Sequence, residues 1–135
     1  MRNLILKRDN NMKLLLKSLL VSSMALSASA FATELTYKVH NPQAQGIFPV
    51  TSTLISGEKD AVLVDAQFSV NDAKNLVKLI QDSGKNLKYI IITAGDPDYY
   101  FGLEALVQVF PNAKVIATPE VVQHIEATKE GKFAY

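Results

Sequence analysis

Two short apolar runs, each closing on a polar residue, constrain this chain more than any other feature. Ala61-Val62-Leu63-Val64 ends in Asp65, and Tyr89-Ile90-Ile91-Ile92 ends in Thr93. Continuous runs of this length and β-branched content suit strands buried on both faces. Between them, Ala73, Leu76, Val77 and Ile80 recur at i, i+3, i+4 and i+7, one face of an amphipathic helix. Ser69-Val70-Asn71-Asp72 fits a capping box ahead of that helix, and Gly84 fits its stop.

The flanking segments extend the pattern. Leu35 to His40 alternates apolar and polar residues, the period of a half-buried strand. Thr51 to Ile55 is rich in β-branched residues, and Gly57-Glu58-Lys59-Asp60 is a tight polar connection, so a hairpin is expected. Leu103, Leu106, Val107 and Phe110 repeat the helical spacing before Pro111. Ala113 to Ala117 reads as a short strand. Thr118-Pro119-Glu120 supplies a cap, a proline at the first position and an acid in the first turn. Val121, Val122 and Ile125 are expected on that helix's buried side. The order β-β-β-α-β-α-β-α implies a layered α/β architecture. In such sheets chemistry sits at the carboxyl ends of strands, which singles out the loops from Asp65 to Ser69 and from Thr93 to Gly102.

The first thirty-two residues follow a different logic. Lys7, Arg8, Lys13 and Lys17 precede the apolar stretch from Leu19 to Leu26, and small residues lead to Ala30-Phe31-Ala32. Charge, apolar core and A-x-A end are the order of a secretory signal peptide, with cleavage expected before Thr33. Met12-Lys13 onward is already a complete signal, so either Met1 or Met12 serves as the start. The apolar run is shorter than the roughly 20 residues a stable membrane span needs. Residues 1–32 are therefore expected to direct export, leaving residues 33–135 as one small domain, periplasmic or secreted. Among 135 residues there is no cysteine, which excludes disulfides and thiolate zinc sites. The formal net charge of +1 gives no electrostatic case for nucleic acid as a partner.

The second loop reads Ile92-Thr93-Ala94-Gly95-Asp96-Pro97-Asp98-Tyr99-Tyr100-Phe101-Gly102. Together with the strand ending in Val64-Asp65-Ala66 and the helix between, it resembles the metallo-β-lactamase superfamily. That family's loop has the pattern T-H-x-H-x-D-H followed shortly by glycine. Thr93, Asp98 and Gly102 match, whereas Ala94, Asp96 and Tyr99 stand where the three histidines belong. The resemblance covers about Thr36 to Ile125 and corresponds to one half of the family's αββα sandwich. It implies a partial, truncated domain with one sheet face left for a second copy or a partner chain to cover.

The resemblance also implies what chemistry is at stake. Family members hold one or two metal ions that turn water into a nucleophile. A catalytic zinc usually takes three protein ligands and keeps a fourth position open. Ala94 cannot ligate, and the Tyr99 phenol, with an ordinary pKa near 10, must first ionise. Asp96 and Asp98 remain as weak metal-ligand candidates, their hard oxygens better suited to Mg²⁺, Mn²⁺ or Ca²⁺ than to zinc. Asp65 matches the family's strand-end aspartate, which braces the loop by hydrogen bonds. His40 and His124 are the only histidines. His124 is expected at the surface, away from the loop, and His40 has no evident partner. Tyr99-Tyr100-Phe101 is expected to pack at the start of the following helix.

Three functional classes follow. The first is an exported metallo-β-lactamase-fold protein without hydrolase activity, needing no cofactor. The second is a hydrolase using zinc or another divalent metal on carboxylate ligands, or completed by a partner chain. The third is a non-enzymatic periplasmic binding module. Metal content separates the second from the others, and a ligand-induced thermal shift separates the third from the first.

Overall fold

The computed structural model describes residues 34–132. The expected signal segment and its cleavage point before Thr33 lie outside the described residues. Five strands form one mixed sheet in sequence order: β1 (Thr36–His40), β2 (Ser52–Ser56), β3 (Asp60–Val64), β4 (Asn86–Ile92) and β5 (Lys114–Ala117). β1, β2 and β3 pair antiparallel, while β3, β4 and β5 pair parallel. The architecture is α/β, as the alternation of runs implies. Helix α1 (Val70–Ser83) links β3 to β4. Helices α2 (Pro97–Tyr100) and α3 (Leu103–Val109) link β4 to β5, and α4 (Pro119–Lys132) follows.

Local chemistry sets these boundaries. The Ser69 hydroxyl oxygen caps α1 by accepting the Asp72 N–H at 3.0 Å and donates its own proton to Asp72 Oδ2 at 2.6 Å. The cap is one-sided with respect to backbone: Asp72 accepts the Ser69 hydroxyl proton. Gly84 ends α1 in the left-handed region at φ 66°, where a residue without Cβ carries no steric cost. The β2–β3 hairpin closes through Gly57 N–H donating to the Asp60 carbonyl at 2.9 Å.

The core lies on one face of the sheet. Leu54 and Leu63 are cross-strand partners, and so are Leu63 and Ile90. All three are buried, together with Leu76 and Ile80 of α1 and Leu106 of α3. On the opposite face the register forms two rows: Tyr37, Ile55, Val62, Tyr89 and Lys114, then Val39, Thr53, Val64, Ile91 and Ile116. Direct cross-strand partners project from the same side, so these rows make a largely apolar strip, interrupted by Thr53 and ended on one row by Lys114. Tyr37 is 74% exposed and Val39 56%. The expectation that β3 and β4 are buried on both faces is thus corrected. Val62, Val64 and Ile91 are only half-buried, because helices cover one side alone.

Two further expectations change. The loop from Thr93 to Gly102 is not plain turn but contains the one-turn helix α2, with Asp96 before it and Pro97 at its start. Asp-Pro is a helix-entry signal of the same type as Thr118-Pro119. On α4, Val121 and Ile125 pack against the core, but Val122 is exposed.

Candidate functional site

The two loops at the carboxyl ends of β3 and β4 are interlocked by backbone and side-chain bonds. Asp65 N–H donates to the Ile91 carbonyl at 2.8 Å, which continues the β3–β4 ladder by one residue. Thr93 N–H donates to Asp65 Oδ1 and the Thr93 hydroxyl to Asp65 Oδ2, both at 2.8 Å. Ala66 N–H donates to the Tyr99 carbonyl at 2.7 Å, and Gly102 N–H to the Gln67 carbonyl at 2.8 Å. Gln67 is buried, and its amide donates to the Val50 carbonyl and to Ser52 Oγ, each at 2.8 Å. Asp65 and Gln67 both adopt left-handed backbone, at φ 62° and 68°. That conformation is strained for a residue with a Cβ, least so for aspartate and asparagine. The hydrogen bonds hold it in place.

Burial raises the pKa of Asp65 above its ordinary value. The two Thr93 bonds act in the opposite direction, and the nearby Asp98 charge adds to the rise. Burial also raises the pKa of Tyr100, with the Asp96 charge as a second cause, so its phenol stays neutral. Tyr100 Oη is buried without a hydrogen-bond partner among the described residues.

Gly102 is required by contact, not by φ. A Cβ there would run into the Ala66 carbonyl oxygen and come 3.0 Å from Ala73 Cβ. The glycine lets the start of α3 press against the first loop.

The expectation that His124 lies away from the loop is wrong. α4 brings its imidazole against the backbone of Gly95, and Nε2 lies 3.8 Å from Asp96 Oδ1. Lys132, about two turns further along α4, places Nζ 2.7 Å from the Gly95 carbonyl and 3.4 Å from Asp96 Oδ1. The same Nζ lies 3.5 Å from His124 Nε2. Nothing in the local sequence around Asp96 signals these contacts, because they are made by a helix more than twenty residues away. His40 also gains a neighbour, since its Nε2 lies 3.9 Å from Asp72 Oδ1.

The positions named from sequence are therefore not brought into one set of ligands. Ala94 offers no donor. Tyr99 is half-buried and packs against the core. Asp96 faces Lys132 and His124, and Asp98 lines a pocket of about 260 Å³ with Phe48, Phe68, Phe101 and the same Lys132. Among the described residues, no group of three or more His, Asp or Glu side chains is gathered closely enough to hold a metal ion. A catalytic zinc with three protein ligands does not fit this loop.

Sheet, helices and interlocked strand-end loops define a layered α/β domain. A family model, the metallo-beta-lactamase superfamily, matches residues 46–135. The chain belongs to that superfamily. It is 33% identical over 70 residues to the uncharacterized protein YobT of Bacillus subtilis (strain 168), covering 52% of this chain and 30% of that protein. Its fold is similar to that of the metallo-beta-lactamase FIM-1 from Pseudomonas aeruginosa, at TM-score 0.53 and 14% identity. That match covers 76% of this chain and 45% of FIM-1. A metallo beta lactamase from Hirschia baltica matches at TM-score 0.55 and 18% identity, over 70% of this chain and 43% of that one. The chain thus spans less than half the length of these relatives.

Proposed function

We propose that this chain is an exported metallo-β-lactamase-fold protein whose described domain has no metal-dependent hydrolase activity of its own. The observation that carries this reading is the occupancy of the loop's three imidazole positions by Ala94, Asp96 and Tyr99. A hydrolase of this type needs ligands that hold a metal and lower the pKa of its bound water to about 7. One alanine, one core-packed phenol and one carboxylate facing a lysine do not supply them. The apolar, charge-led segment before Thr33 supports export.

The test is hydrolysis of β-lactam, thioester, lactone and phosphodiester substrates, with added Zn²⁺ or Mn²⁺ and with EDTA. No turnover above buffer is expected in any arm. Turnover that added metal raises and EDTA abolishes would overturn the reading.

A binding role is the second reading, favoured by the pocket beside the loop. Phe48 and Phe68 meet edge-to-face with centroids 5.0 Å apart, and Phe68 stacks on Phe101 at 5.4 Å. Aromatic walls at strand ends suit a small apolar ligand. A thermal-shift screen of aromatic compounds tests it. A hit lost in Phe68→Ala would support binding there.

A further inference from the structure

The acceptors around Lys132 point to a role beyond an ordinary surface ion pair. Its ammonium meets three chemically different polar atoms: the Gly95 carbonyl oxygen at 2.7 Å, Asp96 Oδ1 at 3.4 Å and His124 Nε2 at 3.5 Å. One carbonyl oxygen, one carboxylate oxygen and one imidazole nitrogen are also the donor types that bind divalent cations. The two side-chain acceptors lie 3.8 Å from each other. Lys132 is the better buried partner, with its side chain 20% exposed against 60% for Asp96. A lysine ammonium carries three N–H donors and no acceptor, so it can satisfy three such groups at once.

We infer that Lys132 is a built-in cation: its ammonium fills a cradle formed by Gly95, Asp96 and His124 and excludes a metal ion from it. The inference rests on the reading of the loop as metal-free and gives that reading a physical cause. It also ties the far end of α4 to the β4–α2 loop, so the loop's shape depends on a side chain and not on a soluble ion. Because the lysine can only donate, the cradle requires His124 Nε2 to accept and the imidazole proton to sit on Nδ1.

The experiment uses the mature chain and reads thermal unfolding with Zn²⁺ and with Mg²⁺. The wild-type midpoint is expected to be unchanged by either ion. Lys132→Ala is expected to unfold about 2–5 °C lower without metal. Zn²⁺ should return that loss in a saturable way, and should fail to do so in the double variant Lys132→Ala, Asp96→Ala. Lys132→Arg keeps the charge and should stay insensitive to zinc. Equal zinc responses in wild type and Lys132→Ala would overturn the inference, and so would no response in either. If Lys132→Ala does not fold, ¹⁵N NMR of wild-type His124 decides. The proton on Nδ1 supports the cradle, and the proton on Nε2 refutes it. Hydrolysis assays play no part here, so failure of this inference is distinct from failure of the functional reading.

Discussion

Both oxygens of the Asp65 carboxylate are held by one residue, Thr93, whose N–H and hydroxyl donate at 2.8 Å each. The pair joins the ends of two parallel strands and fixes the exit direction of the second loop. Asp65 also sits in left-handed backbone at φ 62°. Asp65→Ala removes both acceptors, leaves the Thr93 donors unsatisfied and keeps an unfavourable φ. It is expected to cost about 2–3 kcal/mol in denaturant unfolding. Asp65→Asn keeps one acceptor oxygen and tolerates the left-handed region, so about 1 kcal/mol is expected. Equal losses in the two variants would show that acceptors at this position do not matter.

The same residue sets a pH dependence. Burial is the largest influence on Asp65 and raises its pKa from the ordinary 3.8. An acid with a raised folded pKa holds its proton more tightly when folded. Its contribution is therefore fully present below pH 3.8 and is lost as pH rises through the folded value. The stability of wild type relative to Asp65→Asn should fall over that window and level off above it. Unfolding both proteins across pH 3 to 8 checks the sign. A relative stability that climbs with pH would contradict it.

Gly102 and Gly131 make a matched pair of tests. A Cβ at Gly102 meets the Ala66 carbonyl oxygen, part of the backbone of the neighbouring loop, whereas one at Gly131 meets nothing within 4 Å. Gly102→Ala is expected to destabilise by about 1–3 kcal/mol through forced backbone movement. Gly131→Ala, inside α4, is expected to stabilise by up to about 1 kcal/mol through helix propensity. Calorimetric midpoints of the two variants should move in opposite directions.

How much of this was legible depends on how local the cause is. The β3–α1–β4 unit is written in apolar periodicity, in the Ser69 cap and in Gly84, all of which act within a few residues. The match of Thr93 and Gly102 to a family pattern locates the loop, but not the reason for the glycine, which is the approach of Ala66. The contacts of Asp96 with His124 and Lys132 depend on how α4 returns over the loop, and no spacing encodes that. Nor does any local pattern mark Gln67 as buried in left-handed backbone. Helix α2 was legible in principle, since Asp96-Pro97 carries the same entry signal as Thr118-Pro119. Turn-forming residues around it obscured the signal.

The apolar strip across β1 to β5 predicts association. Tyr37, Val39, Tyr89 and Ile116 are exposed on one sheet face, in rows aligned by the strand register. Contiguous patches of this kind usually mark interfaces or aggregation. We propose that a second copy covers the face, so light scattering on residues 33–135 should give a dimer. Val39→Lys and Tyr89→Lys together should return a monomer. A monodisperse wild-type monomer that unfolds cooperatively would rule the idea out.

Restoring the loop's three histidines tests how far the loop alone limits metal capture. Ala94→His, Asp96→His and Tyr99→His together recreate T-H-x-H-x-D-H between Thr93 and Gly102. Two of the three added imidazoles, with Asp98, approach the three ligands a zinc ion needs. The change has two structural costs. Tyr99 packs against the core, so its replacement loses buried apolar area. Asp96→His also removes the carboxylate from beside Lys132, leaving an ammonium next to a zinc ion. Zinc capture is therefore expected to be weak, and stronger when Lys132→Ala is added, because the repulsion between like charges is then gone. Turnover is still not expected from either variant. The described residues offer no further cluster of ligands to complete a site, and water activation needs a firmly held metal with an open position. Wild type, the triple variant and the quadruple variant should be assayed side by side with and without EDTA. EDTA-sensitive hydrolysis by the triple variant, with none by wild type, would show that the three substituted positions alone separate this chain from a working metal site.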